Sequence, residues 1–450
     1  MKDQKEFILQ GNLRQVMWQT SWPAVVAIVL YGVNNFLDAI FVGHLIGNKA
    51  LAAVGMAYPL SQITLGFGRL VGVGSSAALS IWLGSNEKEK LYHLLGSFNV
   101  LCFFFSLLFA IPAYVFADNL LHLMGANGEI EILATQYFRA TLIGSLFWIH
   151  GLAINMLIRG EGKMKTAAGM IAIGLVIDII LKPIFISTFG WGVVGAAWAT
   201  NVGMIIYSFS GLYYFVKQKN SFQTNWKSLS YDASIGARII KLGFPEMIFS
   251  VMSVLQSMFI FNALSEYGTA SDISFYTVVN RFFLFLLTPL FGLMRGLQPV
   301  VGMNYGAGQH QRAWKSLVIY TITGIVILSP FYVGSLLFPE EVISTMLPNT
   351  VLKSEQLYHF RVYISTLPLL PITVMALSFF PAINSSKKAS SLALLRQVVF
   401  YIPLMIVLPM YFGIASIYWG SALIEITVVI ITLFHIKLDF DSRKKVLVEY

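Results

Sequence analysis

The sequence predicts an all-α integral membrane protein: twelve transmembrane helices in two pseudo-symmetric six-helix lobes around a central cavity. Three observations carry this. The 450 residues are 57% hydrophobic and only 11% charged, far from the balance of a soluble domain. The chain repeats itself at one offset: Pro23 recurs as Pro245, Gly74 as Gly296 and Gly84 as Gly306, each 222 residues on (245 − 23, 296 − 74, 306 − 84). Arg139 and Arg361, each following a Phe, keep that spacing. Finally, each copy holds about six apolar runs near the roughly 20 residues that a spanning helix needs. An even number of crossings returns the chain to its starting side. The copies are therefore parallel repeats about an axis along the membrane normal, which is the plan of a transporter.

In order, spans are expected at roughly 16–44, 52–83, 94–117, 133–157, 166–188, 192–216, 238–265, 273–304, 315–337, 358–383, 390–412 and 415–436. The stretch before the first, Met1 to Thr20, is charged and amphipathic and lacks a signal-peptide cleavage site. It is expected along the interface, with Phe7, Ile8 and Leu9 facing lipid. Residues 1–216 form the first lobe, 217–237 a linker and 238–450 the second lobe. Even-numbered loops are basic: Lys88 and Lys90, then Arg159, Lys163 and Lys165, then Lys217, Lys219 and Lys227. Arg312 and Lys315, Lys387 and Lys388, and the C-terminal Arg443, Lys444 and Lys445 continue the series. Odd-numbered loops are short or carry Asp118, Glu129, Glu131, Glu340 and Glu341. The positive-inside rule then places both termini in the cytoplasm. The net charge of +9 belongs to these loops and argues for no nucleic-acid partner.

Ionisable groups at membrane depth are costly and by default mark a pathway or site. Asp38 lies mid-way along the first span, with Asn34 one turn and Tyr31 two turns before it on the same face. Asp178 and Lys182 share a face of the fifth span at i, i+4. The functional reading makes Asp38 a proton carrier; the bland one makes Asp178–Lys182 an inert pair holding helices in register. Arg69 and Arg295 fall at similar depths in the two lobes, where they either line the cavity or snorkel. Glu246 and Arg281, near span ends, read as interface residues, and Arg139 and Arg361 as anchors. Pro23 stands inside the first span, where it removes a backbone bond and bends the helix.

Enzymatic patterns are missing from the sequence. The seven histidines show no metal-ligand spacing, and the single Cys102 excludes an intramolecular disulfide. Without a phosphate-binding Walker loop, ATP is not the energy source. A membrane-bound prenyl transferase would need clustered aspartates that Asp38 and Asp178 do not supply.

The stretch from Gly296 through Gln298, Pro299, Gly302, Asn304, Tyr305, Gly306 and Gly308 to Arg312 resembles a signature of the multidrug and toxic compound extrusion (MATE) family, in its DinF-like branch. Gly72-Val-Gly74 to Leu83-Gly84 resembles the partner motif of the first half. Arg159-Gly-Glu-Gly162-Lys-Met-Lys165, Gly195-Ala-Ala-Trp-Ala-Thr200 and Leu395-Arg396-Gln397 with Pro403 extend the likeness along nearly the whole chain. The resemblance implies two lobes forming a V-shaped cavity. It also implies export of small organic compounds driven by an H+ or Na+ gradient, with no bound cofactor. Asp38 matches the acidic residue that carries the coupling ion. Tyr137, Asn155 and Thr200 match its polar partners, and Pro23 the bending proline. Tyr31, Arg69, Arg295, Gln256 and Gln298 are the cavity and gating candidates, and the expected transporter is a monomer in the bacterial inner membrane.

The fifth helix departs from the branch pattern Asn-x-x-x-Asp-Pro. Here Asp178 holds the amide's place, and Lys182, before Pro183, holds the acid's. An ammonium about 4 Å from a bound Na+ repels it by roughly 4 kcal/mol at an effective dielectric of about 20, or about three decades in affinity. H+ coupling is therefore expected, with Lys182 a tethered cation for Asp38 or Asp178. The added positive charge leans the cargo towards neutral or anionic compounds; a flippase-like exporter of lipid-linked substrates and a Na+-coupled exporter are the alternatives.

Overall fold

The computed structural model describes residues 3–124, 126–224, 230–344 and 352–448, which are helical with no strand among them. In chain order the helices are α1 (Asp3–Gln10), α2 (Leu13–Leu45), α3 (Asn48–Ser85), α4 (Lys88–Val115), α5 (Ala117–Leu123) and α6 (Gly128–Ile143). Then come α7 (Ser145–Gly160), α8 (Met164–Pro183), α9 (Gly192–Val216), α10 (Ala233–Tyr267), α11 (Ala270–Gly306) and α12 (His310–Leu337). The last six are α13 (Pro339–Ser344), α14 (Ser354–Ile364), α15 (Leu370–Ala382), α16 (Ser386–Leu394), α17 (Ile402–Phe412) and α18 (Ala415–Val448). Among the described residues, ten stretches are long and apolar enough to cross a membrane, and α6 with α7, bent by 55°, makes an eleventh. The expected span at 358–383 is divided between α14 and α15, and only the second is strongly apolar.

The sequence repeat is a structural repeat. Helix α12 is α4 displaced by 222 residues at both ends (310 − 88 and 337 − 115). The same offset carries the start of the short α5 onto α13 (339 − 117). It also carries the break at Gly144 onto Thr366, inside the gap between α14 and α15 (366 − 144). The first break has a local cause. Gly144 leaves room for the Asn201 amide, which donates to the Ala140 carbonyl at 2.8 Å and accepts from the Trp148 indole at 3.0 Å. Any side chain at Gly144 would occupy that space.

The lobes close on each other at the end that carries the basic loops. A Cβ on Gly74 would strike the Ile239 carbonyl and Gly243 nitrogen of α10. Its repeat mate Gly296 presses on Ser21, the counterpart of Gly243 (243 − 21). Gly84 and Gly306, counterparts of each other, sit backbone to backbone. Lobe contact through small residues is the expected glue in lipid, where apolar burial offers no net gain.

Helix α1 corrects one expectation. Ile8 is 0% exposed and belongs to the core rather than to lipid. The Arg312 guanidinium and Asn304 amide donate to its carbonyl at 3.1 and 3.5 Å, and Lys5 reaches Asn86 at 2.7 Å. The amphipathic face is consumed by the seam between lobes, which offers carbonyl partners that lipid cannot. The linker is shorter than expected, because Asp232 caps α10 by accepting from the Ser234 and Ile235 amides at 2.8 and 3.1 Å. Lys227 lies outside the described residues.

Candidate functional site

Between the lobes lies a cavity of about 380 Å³, lined from α2, α3, the kinked α6–α7 span, α8, α9, α10, α11 and α15. On its first-lobe wall, Asp38, Asp178 and Lys182 meet. The Lys182 ammonium donates to Asp38 Oδ1 of α2 and to Asp178 Oδ2 of its own helix at 3.2 Å. Thr200 of α9 donates to Asp178 Oδ1 at 3.1 Å, and the Asn34 amide of α2 to its Oδ2 at 3.1 Å. The three charged groups differ in access. The Lys182 and Asp178 side chains are 2% and 3% exposed, whereas that of Asp38 is 30% exposed. Two carboxylates share one ammonium, so the cluster carries one negative charge in excess, with Asp38 as its most exposed member. A single proton makes it neutral.

Tyr31 and Tyr137 also line the cavity. Arg69 does so as well, its guanidinium donating across the seam to Ser250 Oγ of α10 at 2.7 Å. Arg295 pairs with Glu246 at 2.5 Å, both side chains 15% exposed. Glu246 is therefore a cavity residue, not the interface residue its place near a span end suggested. Arg159 is a second correction. Its place beside Lys163 and Lys165 suggests a basic loop, yet it stands in the last turn of α7, buried and on the cavity wall. No linear signal marks it, because the 55° bend in the fourth span carries it inward.

Three candidates stand elsewhere. Asn155 spends its amide on the Ala167 carbonyl of α8 at 2.7 Å, tying two helices rather than meeting Asp38. Gln298 donates to the Val73 carbonyl at 3.0 Å, so it belongs to the lobe seam. Gln256 sits on the face of α10 that carries Phe249, two turns farther along and beyond the lining. Pro23 lies within α2, which continues uninterrupted to Leu45.

The MatE family profile matches residues 23–184 and, a second time, 245–407. The chain belongs to the MatE family. The two matches begin 222 residues apart, the offset of Pro23 and Pro245. This MatE chain is 24% identical over 433 residues to the multidrug export protein MepA of Staphylococcus aureus (strain MRSA252), with 94% of each covered. It is 23% identical over 428 residues to the MepA of Staphylococcus saprophyticus, again with 94% of each covered. Its fold is similar to that of a MATE protein crystallised in the bent conformation (TM-score 0.91, 24% identity, 98% of each chain). It is similar too to a MOP superfamily transporter from Pyrococcus furiosus (TM-score 0.89, 23% identity, 97% of this chain and 98% of that one). The two-lobed, twelve-helix architecture is theirs as well. The MatE chain is thus a multi-pass membrane transporter of a drug-efflux family, and that family is one of transporters rather than enzymes.

Proposed function

We propose that this MatE protein exports amphipathic organic compounds in exchange for protons, by alternating access, with Asp38 as the main proton carrier. The observation that carries the reading is the unequal access within the Asp38–Lys182–Asp178 cluster. Asp38 touches the cavity, while the ammonium that holds it is sealed behind it. A proton arriving through the cavity neutralises Asp38 and leaves Lys182 to Asp178 alone. The ion pair between α2 and α8 is then lost, leaving the Asn34–Asp178 hydrogen bond to join them, and α2 moves more readily. Pro23 supplies the weak point in that helix, since it cannot donate to the carbonyl four residues before it. Movement of α2 against α11 narrows the cavity and expels cargo, and release of the proton on the other side resets the cluster.

Lys182 also decides the ion. A fixed ammonium on both carboxylates occupies the position a bound Na+ would need, and repels it. The lobes are sealed at the basic-loop end, which the positive-inside rule assigns to the cytoplasm with both termini. The cavity in this state therefore faces outward. The MepA relatives are multidrug export proteins, which supports organic compounds as cargo of this chain. Within this reading it works as a monomer in the cell membrane.

The test is transport in reconstituted vesicles with pH and Na+ gradients imposed separately. Cargo movement should follow the pH gradient alone and vanish in Asp38→Asn. Transport driven by Na+ and indifferent to pH, or left intact by Asp38→Asn, would overturn the reading.

A further inference from the structure

The charges of the cavity do not balance in place. Its carboxylates are all engaged: Asp38 and Asp178 by Lys182, and Glu246 by Arg295. Two guanidiniums on the lining remain outside these pairs. Among the described residues Arg69 donates only to the neutral Ser250 hydroxyl. Arg159 is 8% exposed, and among the described residues its guanidinium makes neither an ion pair nor a hydrogen bond. A guanidinium carries five N–H donors, and burying them without acceptors is costly. Its backbone has little freedom to withdraw, because the next residue, Gly160, packs directly on Ser76 of α3. The aromatic side chains of Tyr207 and Trp148 lie on the same wall, giving an apolar body a surface beside the charge.

We propose that Arg159 and Arg69 form an oxyanion subsite at the sealed end of the cavity, so that the cargo is an amphiphile bearing a carboxylate or sulfonate rather than a lipophilic cation. This rests on the cavity being the cargo site of the exporter described above. An oxyanion would accept from the Arg159 fork in two parallel bonds while Arg69, from α3 of the same lobe, adds a second positive charge.

The test is equilibrium binding to the purified full chain in detergent, with no gradient, using carboxyfluorescein and ethidium as anionic and cationic probes followed by fluorescence anisotropy. Wild type should bind carboxyfluorescein more tightly than ethidium. Arg159→Gln and Arg69→Gln should each weaken the anion by about tenfold or more, the scale of a lost charge-assisted bond, and leave ethidium within about twofold. Arg159→Lys, which keeps the charge and loses the fork, should fall between; it also controls for folding, checked by a monodisperse elution profile. Tighter binding of ethidium by wild type, no binding of either probe at millimolar protein-excess conditions, or equal losses for both probes in the variants would each overturn the subsite. Binding without a gradient is blind to coupling. A failed pH-gradient experiment with intact anion binding thus faults the exchange reading alone, and the converse result faults only the subsite.

Discussion

The Lys182 ammonium leaves its own helix to bond the Asp38 carboxylate of α2, 144 residues away in the chain, while keeping Asp178 one turn behind it. A side chain that joins the first and fifth spans at the cavity wall cannot be altered without changing both stability and movement. This fixes the first expectation. Asp38→Asn retains Lys182 on Asp178, so the protein should fold and bind cargo while pH-driven transport drops to the level of protein-free vesicles. Persistent transport in that variant would mean that the proton travels by another route.

Removing the cation has the opposite signature. Lys182→Met leaves two carboxylates facing each other with no counter-charge, and breaking a buried pair on one side typically costs about 3–5 kcal/mol. The melting temperature in detergent should fall markedly. The double change Lys182→Met with Asp178→Asn removes the orphaned charge and should recover most of the loss. A double variant no more stable than the single one would show that the cluster is not electrostatically coupled.

The seam between lobes gives a third expectation. A side chain at Gly306 would collide with the Ile81 carbonyl and approach the Ser85 nitrogen to 3.0 Å. Gly306→Val should therefore keep the basic-loop end from closing. The native Cys102 is fully buried, so a cysteine placed at the cavity residue Leu377 reports cleanly. Its labelling by a membrane-impermeant maleimide from the basic-loop side should rise several-fold over the Gly306 parent. Gly334→Ala, with open space around its Cβ, should leave labelling unchanged.

The parts of this arrangement that were legible from sequence follow from one-dimensional regularities. A constant offset foretold the repeat because both lobes bury the same small residues at the same depth. Asp38, Asn34, Asp178 and Lys182 stood out because a helix of known period fixes which of them share a face. Arg159 lies deeper than its linear position suggests because its span is broken, and the break at Gly144 is set by an amide from Asn201, 57 residues on (201 − 144); Glu246 lies deeper because α10 already begins at Ala233. The misplacement of Asn155 and Gln298 has the same root. Their partners are the carbonyls of Ala167 and Val73, and backbone acceptors leave no mark in a sequence. Nothing in the sequence around Ile8 signals that the seam, rather than lipid, buries it.

A last expectation concerns Glu161, in the turn between α7 and α8 and outside the spans. Its carboxylate accepts from the Tyr214 hydroxyl at 3.0 Å and from the Ser221 amide at 2.7 Å, so it pins the start of the linker to the first lobe. Burial holds this carboxyl above its ordinary value of 4.5, against the opposing pull of Lys163 and the Ser221 bond. The sign follows. Between 4.5 and the raised folded value, the folded protein holds a proton that the unfolded chain has released, so stability declines as pH rises through that window. Each pH unit within it changes stability by up to about 1.4 kcal/mol. Below the window both states are protonated and Glu161 contributes nothing to the slope; above it the whole cost is present. Glu161→Gln keeps an oxygen for Tyr214 and Ser221 but cannot titrate. Melting curves of the two proteins should thus diverge as pH is raised, the variant gaining relative to wild type, and converge near about pH 4. A difference that stays constant with pH, or widens towards acid, would mean that Glu161 is ionised in the folded state throughout and that its partners, not its burial, set its charge.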